Sequence, residues 1–253
     1  MESGLLEAAT LGPLQFAALG LIAFAGAVVG GVSSFGAGLV VTPFLVPVVG
    51  VKGVVPVMAV AMVLGNLSRV WAYRAQVRAQ PIIKVMLPAL PGVILGTLVY
   101  DLLPRNPLAV SIGLFLLASI PLRRWLSKRQ VTPTPKAVVG TSLGFGFVSG
   151  ALPGGGVVIV PLLLGLGLTG GALVGTDAVI GIVVNLVKAI MFGRLELLDH
   201  SLVLAGLLVG LCMVPGAYAA RWLIDRMAMR IHTAIVESLV AFSGLSFLWS
   251  ALT

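Results

Sequence analysis

Apolar segments follow one another along almost the whole of this chain, and no polar stretch between them exceeds about 20 residues, the length of one membrane span. That succession constrains the fold more than any motif. In hydrocarbon every backbone N–H and C=O has to be paired within the protein, which leaves helices and closed barrels. Barrel strands alternate polar and apolar residues at period two, whereas these runs are apolar on every face. Composition agrees: 9% of residues are charged, against about 25% in soluble domains. The expected fold class is an all-α polytopic membrane protein with no room for a sizeable soluble domain.

Ten apolar segments are read, at 12–32, 37–50, 53–73, 82–102 and 107–122, then 137–151, 155–168, 171–192, 200–222 and 231–252. The link from Arg123 to Lys136 is the only long basic one, and Pro133 and Pro135 oppose a continuous helix through it. It divides the chain into an N-terminal transmembrane repeat (1–122), a cytoplasmic basic linker (123–136) and a C-terminal transmembrane repeat (137–253). With that linker inside and the segments alternating, twelve Lys and Arg residues fall on the cytoplasmic side. Lys52, Arg105 and Arg194 fall outside, and Lys188 lies within a span. This is a positive-inside distribution, and it puts both termini outside. Five segments per half give the halves opposite orientation, an inverted-topology repeat. The net charge of +8 is accounted for by cytoplasmic loops, so no nucleic-acid partner is expected.

Two of the segments, 37–50 and 155–168, are too short to cross a bilayer comfortably: 14 residues of helix reach about 21 Å, against about 30 Å of hydrocarbon. They either cross where the protein is thin or fold back as re-entrant helices. Each follows a glycine-rich break. The second break is Gly154-Gly155-Gly156. The first, 118 positions earlier, keeps Gly36 and Gly38 among Ser33, Ser34 and Phe35, and Pro43 stands to Gly36 and Gly38 as Pro161 stands to Gly154 and Gly156. After a one-residue slip Asn66 and Arg69 match Asn185 and Lys188, and Pro91-Gly92 matches Pro215-Gly216. Bare backbone at such a break has to be buried or face a watery cavity, and paired breaks at corresponding positions point to a transporter's binding site.

The residue types at these positions suit an anion. Glycine backbone at a helix start leaves N–H groups without acceptors where the helix dipole is positive. Ser33 and Ser34 add hydroxyl donors. Asn66 with Arg69, and Asn185 with Lys188, put an amide and a cation on one helix face at i, i+3. On the eighth segment that face extends back through Gly181 to Asp177. Charges in hydrocarbon are expensive and persist with a partner or a task. Arg69 and Lys188 also lie near enough to segment ends to snorkel. Glycines, equally, serve plain helix packing. Asp177 and Glu237 are the acids placed within spans. Both are candidates for proton coupling, and a structural pair of Asp177 with Arg69 is the alternative.

Other chemistries find little support. One cysteine, Cys212, excludes an intramolecular disulfide, and two histidines beside it are too few for a common metal cluster. No phosphate-binding loop is present. Gly146-Phe147-Val148-Ser149-Gly150 sets a serine between glycines, as intramembrane serine proteases do. The spacing differs, however, and neither His200 nor His232 is secure at mid-membrane as a base. No cofactor, metal or enzymatic activity is expected. Trp71, Trp125, Trp222 and Trp249 fall near segment ends, as an interfacial aromatic belt does. The acidic start, with Glu2 and Glu7, lacks the basic region of a signal peptide.

The run Gly154-Gly155-Gly156-Val157-Val158-Ile159-Val160-Pro161-Leu162-Leu163, with Val174-Gly175-Thr176 beyond it, resembles the TauE/SafE family of sulfite-exporter-like permeases. The likeness extends over nearly the whole chain. It departs at Ser33, Ser34, Phe35 and Ala37, where the family has glycines, and at Asp177, where serine is expected. The resemblance implies a carrier in a prokaryotic plasma membrane for sulfite, sulfonates or related organosulfur anions. It brings Thr176 into the expected substrate-binding set of Ser33, Ser34, Gly36, Gly38, Asn66, Arg69, Gly154, Gly155, Gly156, Asn185 and Lys188. The expected mechanism is alternating access around a midplane site between the repeats. A passive anion channel is the alternative, and a membrane enzyme or scaffold is a third reading. The partners expected are the anion, the lipid bilayer and, at small-residue helix faces, a second copy in a homodimer.

Overall fold

The computed structural model describes residues 13–33, 37–128, 133–224 and 229–252, and every regular element in them is helical. The helices are α1 (Pro13–Ser33), α2 (Ala37–Tyr73), α3 (Ala79–Leu102), α4 (Arg105–Lys128), α5 (Pro135–Ala151), α6 (Gly156–Gly165), α7 (Gly170–Arg194), α8 (His200–Ile224) and α9 (Met229–Leu252), with a 3-10 turn at Arg74–Gln76. Five are long and apolar enough to cross a membrane. Large apolar side chains stay on the outer surface, Leu21, Leu87, Leu102 and Leu252 among them, as they do where the solvent is lipid. Trp71, Trp125, Trp222 and Trp249 are all exposed there too.

The ten expected segments reappear, two of them fused. α2 carries both 37–50 and 53–73, and Gly50 divides it with φ 67 and ψ 168. That left-handed φ suits glycine. The division is pinned from α3: the Tyr100 hydroxyl lies 3.2 and 3.1 Å from the carbonyl oxygens of Val51 and Lys52. Lys52 Nζ in turn donates to the Asp101 carbonyl at 3.1 Å. α4 outruns its apolar segment and carries the helix through Arg123 and Arg124 to Lys128. Charge there ends the hydropathy signal without ending the helix, because backbone bonding does not depend on side-chain polarity. α5 starts where Pro135 fits the first helical position and the Thr134 side chain accepts from the Ala137 N–H at 3.3 Å.

The most extensive contacts join helices from opposite sides of the basic link. α3 packs on α5, and α1 on α8. The first seam is glycine against glycine. A Cβ at Gly92 would run into the Leu143 carbonyl, at Gly96 into that of Phe147, at Gly146 into that of Ala89 and at Gly150 into that of Val93. Glycines four apart on each helix let the backbones touch, which is how membrane helices gain packing without a hydrophobic drive. The serine-between-glycines motif at 146–150 is thus half of a packing seam. The second seam also closes on a glycine, though not glycine against glycine: a Cβ at Gly216 of α8 would meet the Phe24 carbonyl, the Ala27 side chain and the Val28 nitrogen of α1.

The second arm of α2 lies along α7. A Cβ at Gly171 would meet the Gln76 side chain, one at Gly175 would meet Tyr73, and one at Gly181 would meet the Asn66 amide. Arg69 pairs with Asp177 between them. As one number rises the other falls, so the two helices run antiparallel.

Candidate functional site

A cavity of about 120 Å³ opens where α2, α5, α6 and α7 meet. Space on that scale holds several water-sized groups. From α2 it is lined by Gly38, Val55, Met58, Met62, Asn66 and Arg69, and from α5 by Phe145 and Ser149. The break 152–156 and Ile159 form another wall, and α7 supplies Asp177, Gly181, Val184, Asn185 and Lys188.

The break leaves backbone donors without acceptors in this wall of the cavity. α5 ends at Ala151, Leu152 is extended, and Gly154 takes φ 94, a conformation that side-chain-bearing residues rarely adopt. α6 then starts at Gly156 and runs ten residues, about 15 Å. The carbonyls of Gly154 and Gly155 accept from the Val157 and Val158 N–H groups at 3.1 and 2.9 Å. The N–H groups of Gly154, Gly155 and Gly156 donate to no acceptor among the described residues. These are the orphan donors of a helix start, at the positive end of its dipole. Gly155 also abuts the Ser149 hydroxyl so closely that a Cβ there would overlap the oxygen. Ser149 is itself buried, and its hydroxyl has no partner among the described residues.

The charged groups divide into two kinds. Arg69 is buried and its charge is matched: Nη2 donates to Asp177 Oδ2 at 3.1 Å and Nη1 to Asn66 Oδ1 at 3.0 Å. The pair of Asp177 with Arg69 considered from the sequence is formed. Lys188 is equally buried, at 6% exposure, so it does not snorkel, and no hydrogen bond or ion pair engages its ammonium among the described residues. Asn185 stands one turn before it and donates one amide hydrogen to the Gly181 carbonyl at 2.7 Å.

Of the residues singled out from the sequence, Gly38, Asn66, Arg69, Gly154, Gly155, Gly156, Asp177, Asn185 and Lys188 all line the one cavity. Thr176 does not. Its side chain turns to the end of the 3-10 turn, where Oγ1 accepts from the Arg78 N–H at 3.1 Å. Glu237 is also elsewhere, in a two-bond pair with Arg124 that ties α9 to α4. Ser34 and Gly36 lie outside the described residues, as does the side chain of Ser33.

Sequence reasoning passed over Met58, Met62, Phe145 and Ser149. A signal for the methionines existed. Met58, Met62, Asn66 and Arg69 repeat on α2 the i, i+4, i+8, i+11 face that Asp177, Gly181, Asn185 and Lys188 form on α7. Ser149 was in view only as a nucleophile.

Long apolar helices packed around this cavity define a multi-pass membrane protein. The chain matches the family described as Sulfite exporter TauE/SafE over residues 18–247, nearly its whole length, and belongs to that family, one of membrane permeases. No curated protein and no solved structure matches it.

Proposed function

We propose that this protein is a secondary transporter of a small sulfur-containing anion, such as sulfite, a sulfonate or a related organosulfur acid, held in the cavity between α2, α5, α6 and α7. The observation that carries the reading is Lys188: a buried cation without a counter-charge among the described residues, lining the same cavity as three glycines at a helix start whose N–H groups have no acceptor among those residues. Ser149 and Asn185 add donors. A lining rich in donors, whose one carboxylate is already paired with Arg69, favours an oxyanion over a cation or a neutral solute. Membership of a sulfite-exporter family supports the sulfur chemistry.

Alternating access between inverted repeats is the mechanism proposed. The antiparallel α2–α7 contact supports it, as do the corresponding seams that Gly92 of α3 makes against α5 and Gly216 of α8 makes against α1. In this layout the basic link faces the cytoplasm of a prokaryotic cell and both termini face outward. Proteoliposomes loaded with sulfite or methanesulfonate test the proposal. Labelled anion is expected to enter faster when unlabelled anion is present on the far side, and Lys188→Ala is expected to abolish entry. Flux without such acceleration would indicate a passive pore, and no flux of any small oxyanion would overturn the transport reading.

A further inference from the structure

The two polar faces that meet across the cavity correspond position by position, with one exception in charge. Asn66 corresponds to Asn185 and Arg69 to Lys188, but where α7 has Asp177, α2 has Met58. The packing register leads to the same residue independently. Gln76 lies against Gly171, Tyr73 against Gly175, Arg69 against Asp177 and Asn66 against Gly181. Continuing by two further turns sets Met62 opposite Asn185, and residues 58–59 opposite Lys188. Of these two, Met58 lines the cavity and Ala59 does not. Arg69 therefore meets a carboxylate from the facing helix, while the same register sets Met58, which has no charge to offer, at the related place opposite Lys188.

We propose that Met58 is the specificity-determining position of this site: by withholding the counter-carboxylate that Arg69 has, it leaves Lys188 one unmatched positive charge, and the substrate is a singly charged oxyanion that takes the missing carboxylate's place. Arg69 and Asp177 cancel each other. The cavity thus offers one net positive charge among the ionisable groups lining it, together with the neutral donors of Gly154, Gly155, Gly156 and Ser149. A sulfonate or a hydrogensulfite monoanion balances that charge. A dianion brings one negative charge too many into a space that also holds Asp177. A methionine suits the role, since its soft unbranched side chain packs beside an organic tail without supplying a charge. The inference rests on the anion-transport reading and narrows it to a charge class.

The test measures binding of methanesulfonate and of sulfate to the purified full-length protein by calorimetry. Wild type is expected to bind the monoanion at least roughly tenfold more tightly than the dianion. Met58→Asp is expected to cut methanesulfonate affinity by roughly a hundredfold, the scale of a like-charge juxtaposition in a binding site. Met58→Asn, similar in shape to the aspartate but neutral, is expected to keep the affinity within a few-fold. Asp177→Asn raises the formal charge of the site by one and is expected to shift the preference toward sulfate, so the proposal remains testable if Met58→Asp does not assemble. Equal methanesulfonate binding by wild type and Met58→Asp, or an unchanged preference in Asp177→Asn, overturns the assignment of Met58 and leaves anion transport standing. Wild-type protein that binds neither anion while transporting none overturns both.

Discussion

Two glycine-bearing stretches line the cavity, Gly38 near the start of α2 and the break at 154–156, and they are built differently. At the second, Gly155 is wedged against Ser149 and Gly154 holds a positive φ, so glycine is required on two separate grounds. At the first, a Cβ on Gly38 would rest 3.7 Å from the Met58 methyl, an ordinary contact. The polar faces behind these stretches differ in the same sense: Arg69 is neutralised by the facing helix, and Lys188 has no counter-charge among the described residues. The positions correspond in sequence while the packing and the charge pairing around them differ.

Removing each cation in turn is the severest way to break this comparison. Arg69→Ala strands Asp177 as an unmatched buried charge, so folding stability is expected to drop by about 3–5 kcal/mol, read as a lower melting temperature in detergent. Lys188→Ala strands nothing. It is expected to leave the melting temperature unchanged or higher while anion binding falls by roughly a hundredfold. Equal losses of stability in the two variants would show that the cations do the same job.

The glycines give a smaller contrast. Gly154→Ala forces a side chain into the left-handed region and is expected to cost ~1–2 kcal/mol. Gly155→Ala is expected to displace Ser149 and weaken anion binding by roughly tenfold, the loss of one good hydrogen bond. Gly38→Ala is expected to match wild type in both measurements. The smallest effect belongs to Glu237→Gln. Its partner Arg124 is exposed, so neither binding nor melting should change measurably, although a coupling residue would alter the proton dependence of flux.

Much of the fold was legible because hydropathy marks helices in lipid directly, and even the division at Gly50 showed as a boundary between two segments. The glycine breaks, Asn66, Arg69, Asn185 and Lys188 stood out because polar residues contrast with an apolar background. Met58, Met62 and Phe145 carry no such contrast. They are apolar residues on apolar helices, and only the packing reveals which face turns inward. Thr176 failed to join the cavity for a related reason: its partner is the backbone N–H of Arg78, just before α3, a contact made by tertiary structure alone. Gly146 and Gly150 look like parts of a catalytic loop until α3 is laid against them with Gly92 and Gly96.

The exchange of partners across the basic link also bears on how the protein is made. α1 is synthesised before the other described helices, yet the one it packs on most extensively, α8, begins at His200. Until that late stretch leaves the ribosome, α1 has to sit in the bilayer with the surface around Ala23, Ala27 and Val28 covered only by lipid, by α2 or by an assembly factor. α3 waits for a shorter interval, until α5. A chain cut at the basic link would release two fragments that each lack the main partners of several of their own helices, so the order of synthesis, as much as the final contacts, sets when this protein can close.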